Sequence, residues 1–201
     1  MARPFRQQAD DDILDRAAAL FARRGFTKTS LQDIADAVGL SKAGLLHHFP
    51  SKEALYDAVL AQAGTLGQRV LAQVRDLPLG ADRDRRAIDV LVDIAFDHPG
   101  VVALLLTPLT QGGSGSGCDE SAMDAAGAAA LEAFGVPPGA PVSERAIRAI
   151  GALSALAVLT LAAHAQDEPA TWRAAIVATC FDALGHSRPG AALPVPHQVE
   201  V

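Results

Sequence analysis

Residues 13–59 read ILDRAAALFARRGFTKTSLQDIADAVGLSKAGLLHHFPSKEALYDAV, and the spacing of apolar residues within them decides the fold. A first helix is expected from about Gln7 to Arg24, because Ile13, Leu14, Ala17, Ala18, Leu20 and Phe21 fall on one face. Asp10 to Asp12 read as acidic residues near its positive end, Arg23 and Arg24 sit at its negative end, and Gly25 stops it. Thr29 or Ser30 then caps a short second helix, in which Leu31, Ile34, Ala35 and Val38 recur at i, i+3, i+4 and i+7. Gly39 ends that helix, and Ser41 caps a third only two residues later, with Leu45 and Phe49 four apart on its inner side. The product is helix, glycine turn, helix. That layout presents a second helix to a DNA major groove, and the same spacing also fits an ordinary pair of antiparallel helices.

Working outward, Pro50 interrupts the chain and Ser51 caps a long fourth helix expected to reach Arg75, with Gly64 and Gly67 inside it. Pro78 and Gly80 close that segment. Further helices read from Asp82 to Asp97, Pro99 to Thr107, Asp119 to Phe134, Val142 to Ala165 and Glu168 to Leu184. No run of alternating β-branched residues competes with them, so the fold is expected to be all-α. The division expected is a helix-turn-helix head over residues 1–63 and a second helical domain over 64–186, meeting near Ala63 within the fourth helix. Residues 187–201, with Pro189, Pro194 and Pro196, read as a disordered tail.

Composition narrows the function. With 201 residues, 50% of them hydrophobic, the chain has ample apolar material for a core. Its net charge is −6, unfavourable for a nucleic-acid binder if spread evenly, but it is not spread evenly. Eight positive and eight negative residues cancel between Met1 and Ala63, and all three lysines, Lys28, Lys42 and Lys52, lie in that segment. Met1 to Asp12 lacks the apolar core of a secretory signal, and the uncharged stretch Ala149 to Ala163 is shorter than the ~18 residues a membrane span needs. A cytoplasmic protein with no membrane partner is expected. Cys118 and Cys180 lie far apart without metal-ligand spacing, so neither a disulfide nor a metal is expected. The glycine-rich Gln111 to Gly117 segment, QGGSGSG, lacks the GK[ST] ending of a phosphate cradle and reads as a mobile loop. No catalytic grouping and no cofactor motif is found, and Cys180, between Thr179 and Phe181, reads as core rather than nucleophile.

Taken as one string, residues 13–59 resemble the N-terminal domain of the TetR family of transcriptional regulators. The resemblance rests on the first-helix stripe, the GF-T-TSL-DIA segment, the turn at Gly39, the HHF after the third helix and the SKEAL opening of the fourth. It implies an all-helical homodimer with two heads reading double-stranded operator DNA and a C-terminal domain that binds a small effector. Residue types in the head agree with that. Lys42 and Lys52 stand near helix starts, where an ammonium and free N–H groups can meet phosphates together. Thr29 offers a further hydroxyl, and Arg3 and Arg6 form a short basic arm. Ala43, Gly44 and His47 are expected beside base edges, with His48 nearer the DNA backbone. Many members carry Tyr where this chain has Leu46, so one usual phosphate contact is missing.

The C-terminal part resembles the family in helical layout alone. Its Ala149 to Ala163 stretch is apolar on nearly every side and holds the small residues Gly151, Ala152, Ser154 and Ala155. With Trp172, Ile176, Phe181 and Leu184 these are expected to form the dimer interface, a buried monomer core being the alternative. The effector pocket is expected to draw on Phe96, His98, Leu105, Met123, Phe134, Thr160 and His164, which combine apolar bulk with scattered polar groups. The function expected is a repressor released from an inverted-repeat operator by a small apolar effector, with the fourth helix as the lever. The alternative is a helical carrier or enzyme using the same cavity.

Overall fold

The computed structural model describes residues 3–111, 120–167 and 169–186. Among these, every regular element is an α-helix: α1 (Arg3–Arg24), α2 (Leu31–Ala37), α3 (Lys42–His48), α4 (Lys52–Val74), α5 (Ala81–Asp97), α6 (Pro99–Gln111), α7 (Glu120–Ala133), α8 (Glu144–Ala165) and α9 (Pro169–Ala183). The all-α expectation holds, and the stops fall where left-handed backbone needs glycine, at Gly25 (φ 77°) and Gly39 (φ 71°). The expected tail and most of the QGGSGSG segment lie outside the described residues.

The start of α1 differs from expectation. The helix begins at Arg3, so Asp10 to Asp12 stand about two turns inside it and do not serve its N-terminus. They serve neighbours instead: Asp10 pairs with His48 of α3, and Asp11 accepts from Gln62 of α4. Ser30, not Thr29, caps α2 in a reciprocal box with Asp33, and Ser41 and Ser51 cap α3 and α4 by accepting from Gly44 and Ala54.

One apolar cluster holds the head, joining Ile13, Phe21, Ile34, Leu45, Leu55 and Val59. It does not stop at Ala63. Val101 and Leu104 of α6 and Ala126 of α7 belong to it as well. The reason is a close crossing of α6 over α1: a Cβ added to Gly100 would lie 1.9 Å from the Asp15 carbonyl oxygen. Asp15 completes the junction, its carboxylate accepting the Val101 N–H at 3.0 Å and so capping α6 from another helix. Burial pushes the Asp15 carboxyl upward, opposed by the N–H groups of Val101 and Gly100. A carboxyl raised on folding binds its proton more tightly folded than unfolded. Its contribution to stability therefore falls as pH rises just above the ordinary carboxylate range and is regained on acidification.

The second apolar cluster joins α4, α5, α7, α8 and α9 through Val70, Val74, Ile88, Phe134, Leu156 and Ile176. Within it Asp84 is fully buried and bonded to Arg145 of α8 and to His186 beyond α9. By length and composition α8 is apolar enough to cross a bilayer, contrary to the expectation drawn from the Ala149 to Ala163 run alone. Here it packs against α9, α6 and α5.

Candidate nucleic-acid interface and core cavity

The outer side of α3 is built by one anchor. Leu45 is fully buried, a contact worth about 1.5–3 kcal/mol, and turning that residue inward turns Lys42, Ala43, Leu46 and His47 outward. Gly44 is half-buried behind them, where a Cβ would stand 3.3 Å from the Ser41 Oγ that caps the helix. Lys42, Ala43 and His47 are thus grouped on one open face, together with Leu46, which sequence reasoning had placed only as a missing tyrosine.

Three of the expected contacts are used inside the protein. Thr29 is 1% exposed, and its Oγ1 donates to the Gly25 carbonyl at 2.8 Å, so its hydroxyl is committed inside the chain. Lys52 donates its ammonium to the carbonyls of Phe26 at 2.9 Å and Thr29 at 3.1 Å, and lies 4.2 Å from the centre of the Phe26 ring. It fastens the α1–α2 turn to the start of α4. His48 holds α3 against α1 through Nδ1, 2.6 Å from Asp10 Oδ1. Sequence position alone could not separate these from free cations, since a lysine next to a helix N-terminus reads the same in both settings. The basic arm of Arg3 and Arg6 lies outside the residues whose side chains are described.

These assignments predict different outcomes for two lysines. Lys52→Ala removes two charge-assisted hydrogen bonds and should cost about 1.5–3 kcal/mol, lowering the thermal midpoint by several degrees. Lys42→Ala, on the open face, should leave the midpoint unchanged. Equal melting of both variants and the parent in a thermal scan would remove Lys52 from this structural role.

In the second cluster a cavity of about 760 Å³ opens between α4, α5, α6, α7 and α8. Of the expected pocket residues, His98 and Leu105 line it. Phe96 and His164 do not; they face a separate cleft of about 1050 Å³ between α1 and the ends of α5 and α8, which His98 also borders. Phe134 is buried in the core, where it packs rather than lines. Thr160 is sealed, its Oγ1 donating to Leu156 and Ala157 carbonyls one turn back on its own helix. The side chain of Met123 lies outside the described residues. Leu66, Val70, Leu91, Val102, Leu131 and Leu153 line the cavity and were not foreseen. At helical spacing an apolar wall residue and an apolar core residue look alike.

The expected interface residues also divide. Ala152, Ile176 and Leu184 are buried within the chain, and Trp172 and Phe181 are half-buried against its core. Gly151 is exposed, on a side of α8 that also carries Ile147 and Val158, 60% and 57% exposed, while Ala155 is half-buried against the core at the edge of that side. The reason for the division is that α9 covers one side of α8 and leaves the other open. Cys180 is core, its thiol pushed up to about 11 by burial, which rules against a nucleophilic role. Among the described residues no cluster of ligating side chains could hold a metal.

Comparison with known proteins places this geometry. Residues 13–59 match the model of the bacterial regulatory proteins, tetR family. The chain is 36% identical over 86 residues to the HTH-type transcriptional repressor KstR2 of Rhodococcus jostii, across 43% of this chain and 41% of that one, so it spans about two fifths of that relative. It is 31% identical over 150 residues to an HTH-type transcriptional regulator of Mycobacterium tuberculosis, across 74% of each. The fold is that of PfmR, a TetR family transcriptional regulator from Thermus thermophilus, with a TM-score of 0.56 at 24% identity, covering 88% of this chain and 99% of that one. These relatives are transcriptional regulators by name. Because the kinship with the mycobacterial protein runs through three quarters of both chains and not the head alone, the chain belongs to the TetR family of bacterial transcriptional regulators.

Proposed function

We propose that the chain is a homodimeric repressor that binds an inverted-repeat operator on double-stranded DNA and leaves it when a small apolar effector fills the core cavity. Residues 1–63 serve as the head and 64–186 as the effector-binding and dimerisation domain, in the cytoplasm, where the operator is. The observation that carries the reading is the face of α3: Lys42, Ala43, Leu46 and His47 stand open while Leu45 behind them is fully buried. Lys42 suits a phosphate, His47 a base edge, and Leu46 and Ala43 suit a thymine methyl. No metal or cofactor takes part in this reading.

The apolar side of α8 at Ile147, Gly151, Ala155 and Val158, with exposed Ala174 and Ala178 on α9, is the face we assign to the second copy. Val158→Arg, on an exposed position of this face, should give a folded monomer by sedimentation. A folded dimer would move the interface elsewhere.

Two elements link cavity and head in this reading. The first is α4, whose Lys52 end fastens the α1–α2 turn and whose later turns wall the cavity. The second is α6, capped by Asp15 of α1 at one end and lining the cavity with Val102 and Leu105. To carry the protein from about 99% to about 1% operator-competent, an effector must favour one state by roughly 5.5 kcal/mol.

Genome-wide mapping of binding sites, followed by salt titration of the recovered operator, tests the function. Lys42→Ala should weaken binding to all sequences and reduce the salt slope by about 1, while His47→Ala should relax the base preference by about 1–3 kcal/mol at one position of each half-site. Sites without two-fold symmetry, or wild-type affinity and slope in Lys42→Ala, would defeat the reading.

A further inference from the structure

We propose that the core cavity takes an uncharged, aliphatic molecule with one hydrogen-bonding end, and that His98 is the group receiving that end. The inference rests on the effector reading above and narrows its ligand. Among the described residues that line the cavity, the polar side chains are those of His98 and Ser154, none is Asp, Glu, Lys or Arg, and none is Phe, Tyr or Trp. The volume, about 760 Å³, lies within the range of small-molecule sites.

Each absence rejects a class. A carboxylate, phosphate or ammonium drawn into these walls would lose its hydration with no described counter-charge to replace it, a loss that apolar contact does not offset. A flat aromatic ligand gains its specific affinity from ring faces and edges, and the described walls offer no benzene or indole ring. What they offer is branched aliphatic surface from Leu66, Leu91, Leu131 and Leu153, and a smooth seam where α4 meets α7. There a Cβ added to Gly67 would stand 3.1 Å from the Ala129 Cβ, so the two helices meet in tight contact. Such walls fit methylene chains and saturated rings.

His98 is placed to read the remaining polar end. It forms the break between α5 and α6, and both its backbone groups are committed, the N–H to Ile94 and the carbonyl to Val102. The main chain is therefore fixed, while the ring has no hydrogen-bond partner among the described residues. The same residue borders the cleft beside Asp15. A hydroxyl or carbonyl on the ligand can donate to or accept from a neutral imidazole. Ser154, on the opposite helix, is the competing anchor.

The test is calorimetric titration of the full chain at pH 8 with four probes: decan-1-ol, decanoate, decylammonium and 2-naphthol. The expected result is saturable binding of decan-1-ol at one per protomer, with each of the other three at least tenfold weaker. His98→Leu should weaken decan-1-ol about tenfold and His98→Gln should restore most of it, whereas Ser154→Ala should change it less than twofold. Leu105→Trp should abolish binding by filling the cavity, and Ala130→Leu, from the opposite wall, provides the same block if the tryptophan variant misfolds by circular dichroism. Decanoate, decylammonium or 2-naphthol binding as tightly as decan-1-ol would overturn the ligand class and leave the effector reading standing. Loss of the preference in Ser154→Ala but not in His98→Leu would overturn the anchor. No binding of any probe, with wild-type operator affinity intact, would overturn both this inference and release by an effector, while leaving the DNA-binding head untouched.

Discussion

Replacing Asp84 with alanine is expected to remove about 3–5 kcal/mol of stability. The carboxylate is fully buried, and its two oxygens are bonded to Arg145 Nη2 and His186 Nε2, so α5, α8 and the segment after α9 converge on one charge. Arg145 is committed on its other side to the Phe134 carbonyl, at 2.9 Å, and cannot swing out to water without giving up that bond. Alanine therefore strands a partly buried guanidinium, and stranding one member costs far more than the pair contributes. Set against a usual total of 5–15 kcal/mol, the variant stands near the threshold of folding. Urea denaturation should show a lower midpoint at unchanged slope. Asp84→Asn, which keeps the shape and one acceptor, should lose less. A loss under about 1 kcal/mol for the alanine variant would mean that the triad is not closed in solution.

Gly100→Ala is the second. The added methyl would stand 1.9 Å from the Asp15 carbonyl oxygen and 3.0 Å from the Ala19 nitrogen, so it meets the backbone of α1, which no rotamer relieves. The helices must part, which breaks the Asp15 cap on Val101 and uncovers Val101 and Leu104. A cost of about 3 kcal/mol or more follows from overpacking against a rigid wall. Gly64→Ala in α4 is the control: nothing lies within 4 Å of its Cβ, and it should stabilise by up to about 1 kcal/mol through helix propensity. Comparing the two by thermal unfolding tests the crossing directly, since equal effects would mean that α6 does not lie on α1 as described.

The head was legible because its signals are local. Ser30, Ser41 and Ser51 cap helices that start within a residue of them, and Gly25 and Gly39 sit where the backbone turns left-handed. The inner side of α3 followed from Leu45, and Ala43 and His47 came out open as expected, but Gly44 is half-buried and Leu46 is open. What escaped was every role set by a distant partner. Thr29 and Lys52 looked like phosphate contacts because their carbonyl partners are supplied by the fold of the turn before α2. Asp84 drew no notice because its partners are 61 and 102 residues away. The Pro99 and Gly100 pair read only as a helix start, since the crossing that requires glycine is made by a helix eighty residues earlier. In α8 the apolar residues go all the way round, so periodicity could not separate the side under α9 from the side left open, and Gly151 and Ala152, adjacent in the chain, ended on different ones.

The bond from Asp15 to Val101 spans 86 residues, and that interval is also a time. A ribosome adding about 5–20 residues per second leaves α1 without its cover for roughly 4–17 s after Asp15 is made. Through that interval the first helix can gather α2 to α4 beneath it, but its other side faces the cell bare. The head of this protein is thus made before the helix that completes it.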